Sequence, residues 1–252
     1  MGYNVTDERD AKKHGEGEVL IESVRTILFD FDGTLVFHKP DSFDIVSDFC
    51  SDIGQPLDEE TTRRGRRMRH EYFVDPAIRS ELDGLSRDEF WDHFNRHLLE
   101  GMGIAGNLDR LAREVSARFA EAEMVYDCPE AGAKTLCTLQ GRGYHLGLLT
   151  NRENVDRFHD LLEQFDLPRY FSMILAAGEV GVSKPNPCIF RAALERMQAS
   201  PEEALYVGDN YWADVLGAEA AGIRPALLDP MGLFPEAECI VLASIEELLA
   251  HL

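Results

Sequence analysis

The stretch from Ile27 to Leu35 constrains the fold of this chain more than any other. Its first residues, Ile27–Phe29, form an apolar run too short for a helix and soon followed by a Gly-Thr turn, which predicts a buried strand. Asp30 and Asp32 follow that strand, and open α/β sheets bind ligands beyond the carboxyl ends of their strands. Two carboxylates this close repel unless a cation lies between them or one holds a proton. The stretch therefore predicts a divalent metal site at the end of a sheet strand.

Length and composition set the limits on what else the chain can be. Its 252 residues suffice for one large domain or for a core with a smaller insert. The net charge of −21 argues against a broad face that binds nucleic acid or an anionic membrane. The five cysteines are scattered, without a C-x-x-C pair, which is typical of free thiols in a reducing compartment. We predict that the polar residues 1–22 form a flexible extension. They show no signal-peptide pattern, so we expect a cytoplasmic protein.

A helical pattern fills the region after the first strand. Ser86 and Glu89 have the spacing of a capping box. Four residues are candidate helix caps there, with no strand pattern between them: Ser42, Asp58, Ser86 and Asn107. We therefore predict an inserted α-helical bundle over residues 38–125, within a core formed by residues 23–37 and 126–252.

Strands and helices alternate from Glu130 onward, which predicts a Rossmann-like parallel sheet with helices on both faces. Thr150 and Asn151 end one of the apolar strands. Their side chains and the amides of a following helix can donate hydrogen bonds to a phosphate. The alternative is that Asn151 only caps that helix.

Three charged residues farther along have both a functional and an ordinary interpretation. Lys184 lies between a glycine-containing loop and two prolines, where a lysine is usually a surface charge. Asp209 follows another apolar strand and can add a carboxylate to a Mg²⁺ site, or it is a turn residue. Asp214 can support that site, or it is an N-terminal helix charge that the macrodipole favours.

The chain resembles the haloacid dehalogenase superfamily in four motifs that occur in the expected order. They are Asp30-Phe31-Asp32-Gly33-Thr34, Thr150-Asn151, Lys184-Pro185-Asn186-Pro187 with Phe190, and Gly208-Asp209 with Gly217-Ala218 and Ala221-Gly222. Within that superfamily, the chain is most similar to phosphatases with a helical cap of the first type, such as phosphoglycolate phosphatases. The resemblance covers residues 25–36 and 126–250, and it covers the cap only by position and helical character.

The resemblance implies a Mg²⁺-dependent phosphatase that acts on a small phosphorylated metabolite through an aspartyl-phosphate. It makes Asp30 the nucleophile and Asp32 the general acid and base, with Lys184 and Asp214 as further catalytic residues. The implied phosphate-binding residues are Gly33, Thr150, Asn151 and Lys184. The implied metal ligands are Asp30, Asp209 and the backbone carbonyl of Asp32.

Dehalogenation is not expected, because members of the dehalogenase branch lack an acid at the position of Asp32, since halide departs without a proton. Two other functions, a phosphomutase and a binding module, stay open at this point. A sugar phosphomutase uses the same four motifs. A non-catalytic phosphate-binding module of this fold is expected to have lost a motif residue, and none is lost here. The substrate and the oligomeric state are not set by the sequence.

A cluster of basic residues stands out in this acidic chain: Arg63, Arg64, Arg66, Arg67, Arg69 and His70. One interpretation is a solvated helix face balanced by Glu59, Glu60 and Glu71. The other is that one or two of the arginines bind an anionic leaving group, for which the guanidinium fork is suited.

Overall fold

A computed structural model describes residues 23–252 of the chain, apart from residues 76, 77, 79, 80 and 83. The predicted flexible extension, residues 1–22, lies outside the described residues. The strands, numbered β1 to β8 in chain order, are Thr26–Phe29, Phe37–Lys39, Val125–Asp127, His145–Thr150, Met173–Ala176, Ala204–Gly208, Arg224–Leu228 and Ile240–Leu242. Six of them form one parallel sheet in the order β5-β4-β1-β6-β7-β8.

The first strand lies inside this sheet, hydrogen-bonded to β4 on one side and to β6 on the other. Ile27 is level with Leu146 in β4 and with Leu205 in β6. Because the strands are parallel, the carboxyl ends of β1, β4 and β6 meet at one edge of the sheet. The polar residues that follow these three strands are thereby brought together.

Helices cover both faces of the sheet. The α-helices numbered α1 to α9 in chain order are Ser42–Asp52, Glu59–Tyr72, Arg87–Gly101, Leu108–Glu121, Glu130–Gly141, Val155–Gln164, Ala177–Val180, Pro187–Met197 and Gly217–Ala220. Phe29 packs with Phe158 of α6 in one buried cluster, while Leu28 packs with Phe190 of α8 in another. Successive strand residues point to opposite faces, so the apolar run in β1 serves both layers. The predicted α/β fold with helices on both faces is confirmed.

The four helices α1 to α4 form a separate apolar cluster around Phe43, Tyr72 and Leu98. The chain enters this helical region through β2 and leaves it through β3, and the two strands pair antiparallel, with His38 opposite Tyr126. The helical region is thus joined to the sheet by a two-stranded connection. The division into residues 23–37, 38–125 and 126–252 as domains stays a prediction.

Three of the predicted helix caps are present. Asp58 accepts a hydrogen bond from the amide of Thr61 at 2.8 Å, and Asn107 caps α4 in the same way. Ser86 and Glu89 form the complete capping box. The prediction of Ser42 as a cap is wrong, because the neighbouring Asp41 accepts from the amide of Phe43 and α1 begins at Ser42 itself.

Each of the five cysteines is a free thiol. Cys50 is buried, whereas Cys137 and Cys188 are exposed. Within the described ranges, no helix has the combined length and apolar character needed to cross a bilayer.

Candidate active site

Three carboxylates meet at the carboxyl edge of the sheet. Asp30 follows β1, Asp209 follows β6, and Asp214 lies in the π-helical turn Tyr211–Leu216. One oxygen of each lies within 4.8 Å of the other two. Asp30 and Asp214 are buried, while 19% of the Asp209 side chain is exposed. The fold thus concentrates negative charge at one partly open position.

Lys184 supplies the positive charge inside this group. Its Nζ donates hydrogen bonds to Asp30 Oδ1 and Asp214 Oδ1, both at 2.6 Å, and to the Tyr206 hydroxyl at 2.9 Å. The side chain is only 3% exposed. Burial lowers the pKa of Lys184, but the charges of Asp214 and Asp30 outweigh burial and raise it above its ordinary value. The ammonium is therefore a fixed charge, and interpreting Lys184 as a surface residue is wrong.

The donor set fits a hard divalent cation. Burial raises the pKa of Asp30 to about 7, assisted by the charges of Asp214 and Asp32 and opposed by that of Lys184. Burial, together with the charges of Asp30 and Asp214, also raises the pKa of Asp209 well above its ordinary value. One ammonium does not balance three carboxylates. A cation among these oxygens would offset their burial and repulsion, and Mg²⁺ prefers such oxygen ligands.

Thr150 and Asn151 have different surroundings in the structure. Thr150 is buried, and its Oγ1 accepts a hydrogen bond from the amide of Arg152 at 3.3 Å. The Asn151 side chain accepts from the amide of Lys184 at 2.7 Å and donates to the carbonyl of Lys184 at 3.0 Å. Asn151 is not the predicted helix cap, since α6 begins later and is capped by Asn154. It instead fixes the backbone of the buried lysine, and its contact with phosphate stays a prediction.

Asp32 is paired with an arginine that the sequence reasoning did not include. Arg152 Nε donates to Asp32 Oδ2 at 2.8 Å, and Nη2 donates to Oδ1 at 2.6 Å. The Arg152 side chain is 18% exposed and that of Asp32 is 41% exposed. Burial lowers the pKa of Arg152, but hydrogen bonds and the charge of Asp32 outweigh it and raise the pKa above its ordinary value. The side chain of Asp32 thus points to Arg152, whereas Asp30 points to Lys184.

Gly33 permits a close approach between the first motif and Asp209. Its φ is +79°, and its amide donates to the carbonyl of Val36 at 2.9 Å. A Cβ at this position would lie 2.3 Å from Asp209 Oδ2. Any side chain here would therefore combine left-handed backbone strain with a collision against a carboxylate of the centre.

The helical region touches the core beside Asp209, in what we call the α2 contact: Arg63, Arg67 and His70 against residues 229–236 and Trp212. The Arg67 guanidinium forms two hydrogen bonds with Glu236, at 2.6 and 3.0 Å, and lies over the ring of Phe234. Arg63 donates to the carbonyl of Gly232. This contact joins the helical region to the core at a second place, apart from the β2–β3 connection.

His70 lies deepest in the α2 contact. Its Nδ1 is 3.9 Å from Asp209 Oδ2, and its carbonyl accepts from the Asn210 side chain at 3.2 Å. Burial lowers the pKa of His70 to about 3, and the charges of Arg69 and Arg66 add to that effect. A neutral imidazole therefore faces the carboxylate centre from the helical region.

The predicted solvated face of the basic cluster is wrong for Arg66 and Arg67. Arg66 donates to Asp41 at 3.2 Å and to Asp44 at 3.0 Å, so its acidic partners belong to the start of α1. Arg67 pairs with Glu236 of the core. Both side chains are held by residues far away in sequence. Whether any arginine of the cluster binds a leaving group stays a hypothesis.

Sequence reasoning missed Arg152, Tyr206 and Glu236. Arg152 directly follows the second motif, so its position in the chain was a usable signal. Tyr206 is a polar-tipped residue in an apolar strand, which indicates a buried hydroxyl with a partner. Glu236 lies in a region without any recognisable pattern, and only the folded chain brings it to Arg67.

The chain combines an α/β sheet, with buried acids and a lysine at its carboxyl edge, with an adjoining helical region. The sequence profile of the family described as haloacid dehalogenase-like hydrolase matches residues 24–222. The chain belongs to this family.

Known proteins similar to the chain agree with that assignment. Phosphoserine phosphatase of Thermus thermophilus is 41% identical over 138 residues, which is 54% of this chain and 54% of that protein. The chain thus spans about half the length of that relative. Phosphoglycolate phosphatase 1 of Pseudomonas aeruginosa is 27% identical over 89% of this chain and 78% of its own. The crystal structure of a 2-haloacid dehalogenase from Pseudomonas syringae superposes with a TM-score of 0.52 at 23% identity, covering 90% of this chain and 97% of that one. The last similarity shows the fold alone.

Proposed function

We propose that this chain is a Mg²⁺-dependent phosphatase that hydrolyses a small-molecule phosphate monoester through an aspartyl-phosphate at Asp30. The observation that carries the proposal is the buried pairing of Asp30 with Lys184, beside Asp209 and with Asp32 two residues away. This arrangement supports the assignment of Asp30 as the nucleophile, Lys184 as a fixed positive charge and Asp32 as a separate acid. The phosphatases among the relatives support the same activity.

The contacts support a role for each group. Lys184 holds Asp30 Oδ1, so we assign the attack on phosphorus to Oδ2. The P–O bond to the leaving group then breaks, and Asp32, which enters this step protonated with one oxygen released from Arg152, donates that proton to the leaving-group oxygen. Asp32, now a carboxylate, takes a proton from the water that attacks the phosphorus of the aspartyl-phosphate. The P–O bond to Asp30 breaks, inorganic phosphate leaves, and Asp30 is a carboxylate again.

The remaining residues stabilise charge and position. Lys184 and Thr150 are suited to hold the phosphoryl oxygens, over which the transition-state charge is spread. Asp30, Asp209 and the backbone carbonyl of Asp32 would hold Mg²⁺, which when bound supplies positive charge to the phosphoryl group. Asp214 orients Lys184 through its 2.6 Å hydrogen bond.

A small metabolite is the expected substrate. The net charge of −21 disfavours nucleic acid and an anionic membrane as partners. A cytoplasmic location stays a prediction from the scattered cysteines.

The first test is phosphate release from p-nitrophenyl phosphate and a panel of small phosphate esters, with Mg²⁺ and with excess EDTA. We expect turnover that EDTA abolishes and that added Mg²⁺ restores, because the carboxylates need a cation to face a phosphate dianion. Turnover unaffected by EDTA would contradict the metal requirement. No phosphate release from any ester would favour the phosphomutase or the binding module instead.

The Gly33→Ala variant tests whether Asp209 must keep its position. We expect kcat/KM to fall about 10²-fold, because displacing a metal-binding carboxylate by about 1 Å disturbs the reacting geometry. Mg²⁺ affinity, measured by calorimetry, should fall in parallel.

Gly54→Ala is the matched control for the backbone effect. Gly54 has a φ of +76°, close to that of Gly33, but has no atom within 4 Å of its would-be Cβ. This variant should lose about 1 kcal/mol of stability from left-handed strain and retain the wild-type kcat/KM. Equal kinetic effects of the two variants would contradict the role of the Gly33–Asp209 approach.

A further inference from the structure

The pairing of Arg152 with Asp32 is more specific than charge balance requires. Both carboxylate oxygens of Asp32 are engaged, one by Nε and the other by Nη2, in the parallel two-point geometry that only arginine provides. The Asp32 side chain is 41% exposed. The Arg152 side chain is only 18% exposed, and this two-point contact fixes the orientation of the carboxylate.

The guanidinium itself is held on an aromatic support. Its central carbon lies 5.1 Å from the centroid of the Phe31 ring and 5.1 Å from that of Tyr126. Phe31 is fully buried and packs edge-to-face on Phe158 at 5.1 Å. The amide of Arg152 donates to Thr150 Oγ1. The backbone and the side chain of Arg152 are thus both held in place, so its two hydrogen bonds can hold the Asp32 carboxylate in one orientation.

The same support belongs to the connection with the helical region. Tyr126 lies in β3, where it pairs with His38 of β2. A displacement of this two-stranded connection therefore moves one of the two rings under Arg152. The orientation of Asp32 is in this way linked to the strands that join the helical region to the core.

We infer that Arg152 is the positioning residue for Asp32, and that it acts on the steps in which Asp32 gives or takes a proton. The inference rests on the proposed phosphatase function. As the acid, Asp32 keeps one oxygen on the guanidinium and presents the protonated oxygen to the leaving group while the P–O bond breaks. Once that proton has left, both oxygens pair with the guanidinium again, and as the base Asp32 releases one of them to accept a proton from water.

A pair of aryl esters separates this role from a structural one. p-Nitrophenyl phosphate and phenyl phosphate are similar in size, but phenol is the weaker acid and depends more on proton donation as it leaves. The value of kcat/KM reports the steps up to cleavage of the ester bond. We expect Arg152→Ala to lower kcat/KM for phenyl phosphate about tenfold more than for p-nitrophenyl phosphate.

Further variants identify Asp32 as the group through which Arg152 acts. Asp32→Asn should show the same preference for the better leaving group, and the double variant Arg152→Ala/Asp32→Asn should be no slower than Asp32→Asn alone. Arg152→Lys keeps a cation but loses the fork, so we expect it to retain the ester discrimination of Arg152→Ala. If the alanine variant fails to fold, the lysine variant supplies the ratio of kcat/KM for p-nitrophenyl phosphate to kcat/KM for phenyl phosphate. Arg157→Ala, an exposed arginine on α6, is the control and should match wild type.

The wild-type rates report on the proposed function, and the variant ratios report on Arg152. Absence of wild-type turnover of both esters would reject the phosphatase proposal and this inference with it. Normal wild-type turnover with equal losses for the two esters in Arg152→Ala would overturn the inference alone. An additive loss in the double variant would overturn it as well.

Discussion

Asp30→Asn is expected to lower kcat for phosphate monoesters by at least ~10³-fold. The amide has the shape of the carboxylate, and its oxygen can still accept from Lys184, but it cannot attack phosphorus. Asp30 is buried next to two other acids, so removing its charge relieves repulsion and should not lower the melting temperature. Steady-state phosphate release and thermal unfolding measure the two effects.

The control for this substitution is Asp160→Asn, an exposed residue of α6. It makes the same chemical change away from the centre, and we expect wild-type kcat. A kcat for Asp30→Asn within about tenfold of wild type, a barrier difference of only ~1.4 kcal/mol, would contradict the assignment of Asp30 as the nucleophile.

Lys184→Met should reduce both activity and stability. The substitution removes three hydrogen bonds from a 3% exposed ammonium and leaves Asp30 and Asp214 without their cation. Breaking a buried ion pair in this way costs about 3–5 kcal/mol, which lowers the melting temperature by roughly 10 °C in a chain of this size. Loss of the fixed charge should also lower kcat by about 10²–10³-fold.

Two further variants distinguish buried charge from lost packing. Lys134→Met removes an exposed lysine paired with Glu130 in the same helix and should change neither quantity. Lys184→Met/Asp214→Asn removes one of the unpaired carboxylates and should recover part of the lost stability, but not the activity. If Lys184→Met melted at the wild-type temperature, the charge balance described for this centre would be wrong.

The arrangement of the centre could be predicted where it follows from strand direction. Asp30, Thr150 and Asp209 each end an apolar run, and parallel strands bring their carboxyl ends to one edge. That rule placed residues 59 to 179 positions apart near one another without any knowledge of their contacts. The helices of the helical region can be predicted equally well, because capping boxes and apolar spacing are signals carried by neighbouring residues.

Other features depended on choices between neighbouring residues. Asp41 and Ser42 can both cap a helix, as can Asn151 and Asn154, and the sequence does not rank them. The structure selects Asp41 and Asn154. Asn151 does not cap the helix, because its side-chain amide forms two hydrogen bonds with the backbone of Lys184, 33 residues away.

Contacts between distant segments left no pattern to detect. Arg152 reaches Asp32 across 120 residues, and Arg67 reaches Glu236 across 169. An arginine on a polar helix and a glutamate in a loop resemble ordinary surface charges in sequence. Only the docking of α2 on residues 229–236 shows that these two charges meet.

The most direct measurement is identification of the phosphorylated residue after rapid acid quench of the reaction. The Asp32→Asn variant with p-nitrophenyl phosphate is suited to it, because this leaving group depends little on the lost acid, whereas loss of the base slows attack by water and lets the intermediate accumulate. Digestion and mass spectrometry, with fragment ions that separate position 30 from position 32, locate the phosphoryl group. We expect it on Asp30, and absent when Asp30→Asn is added to the same variant. A phosphoryl group on another residue, or phosphate release without any phosphorylated peptide, would contradict the aspartyl-phosphate mechanism.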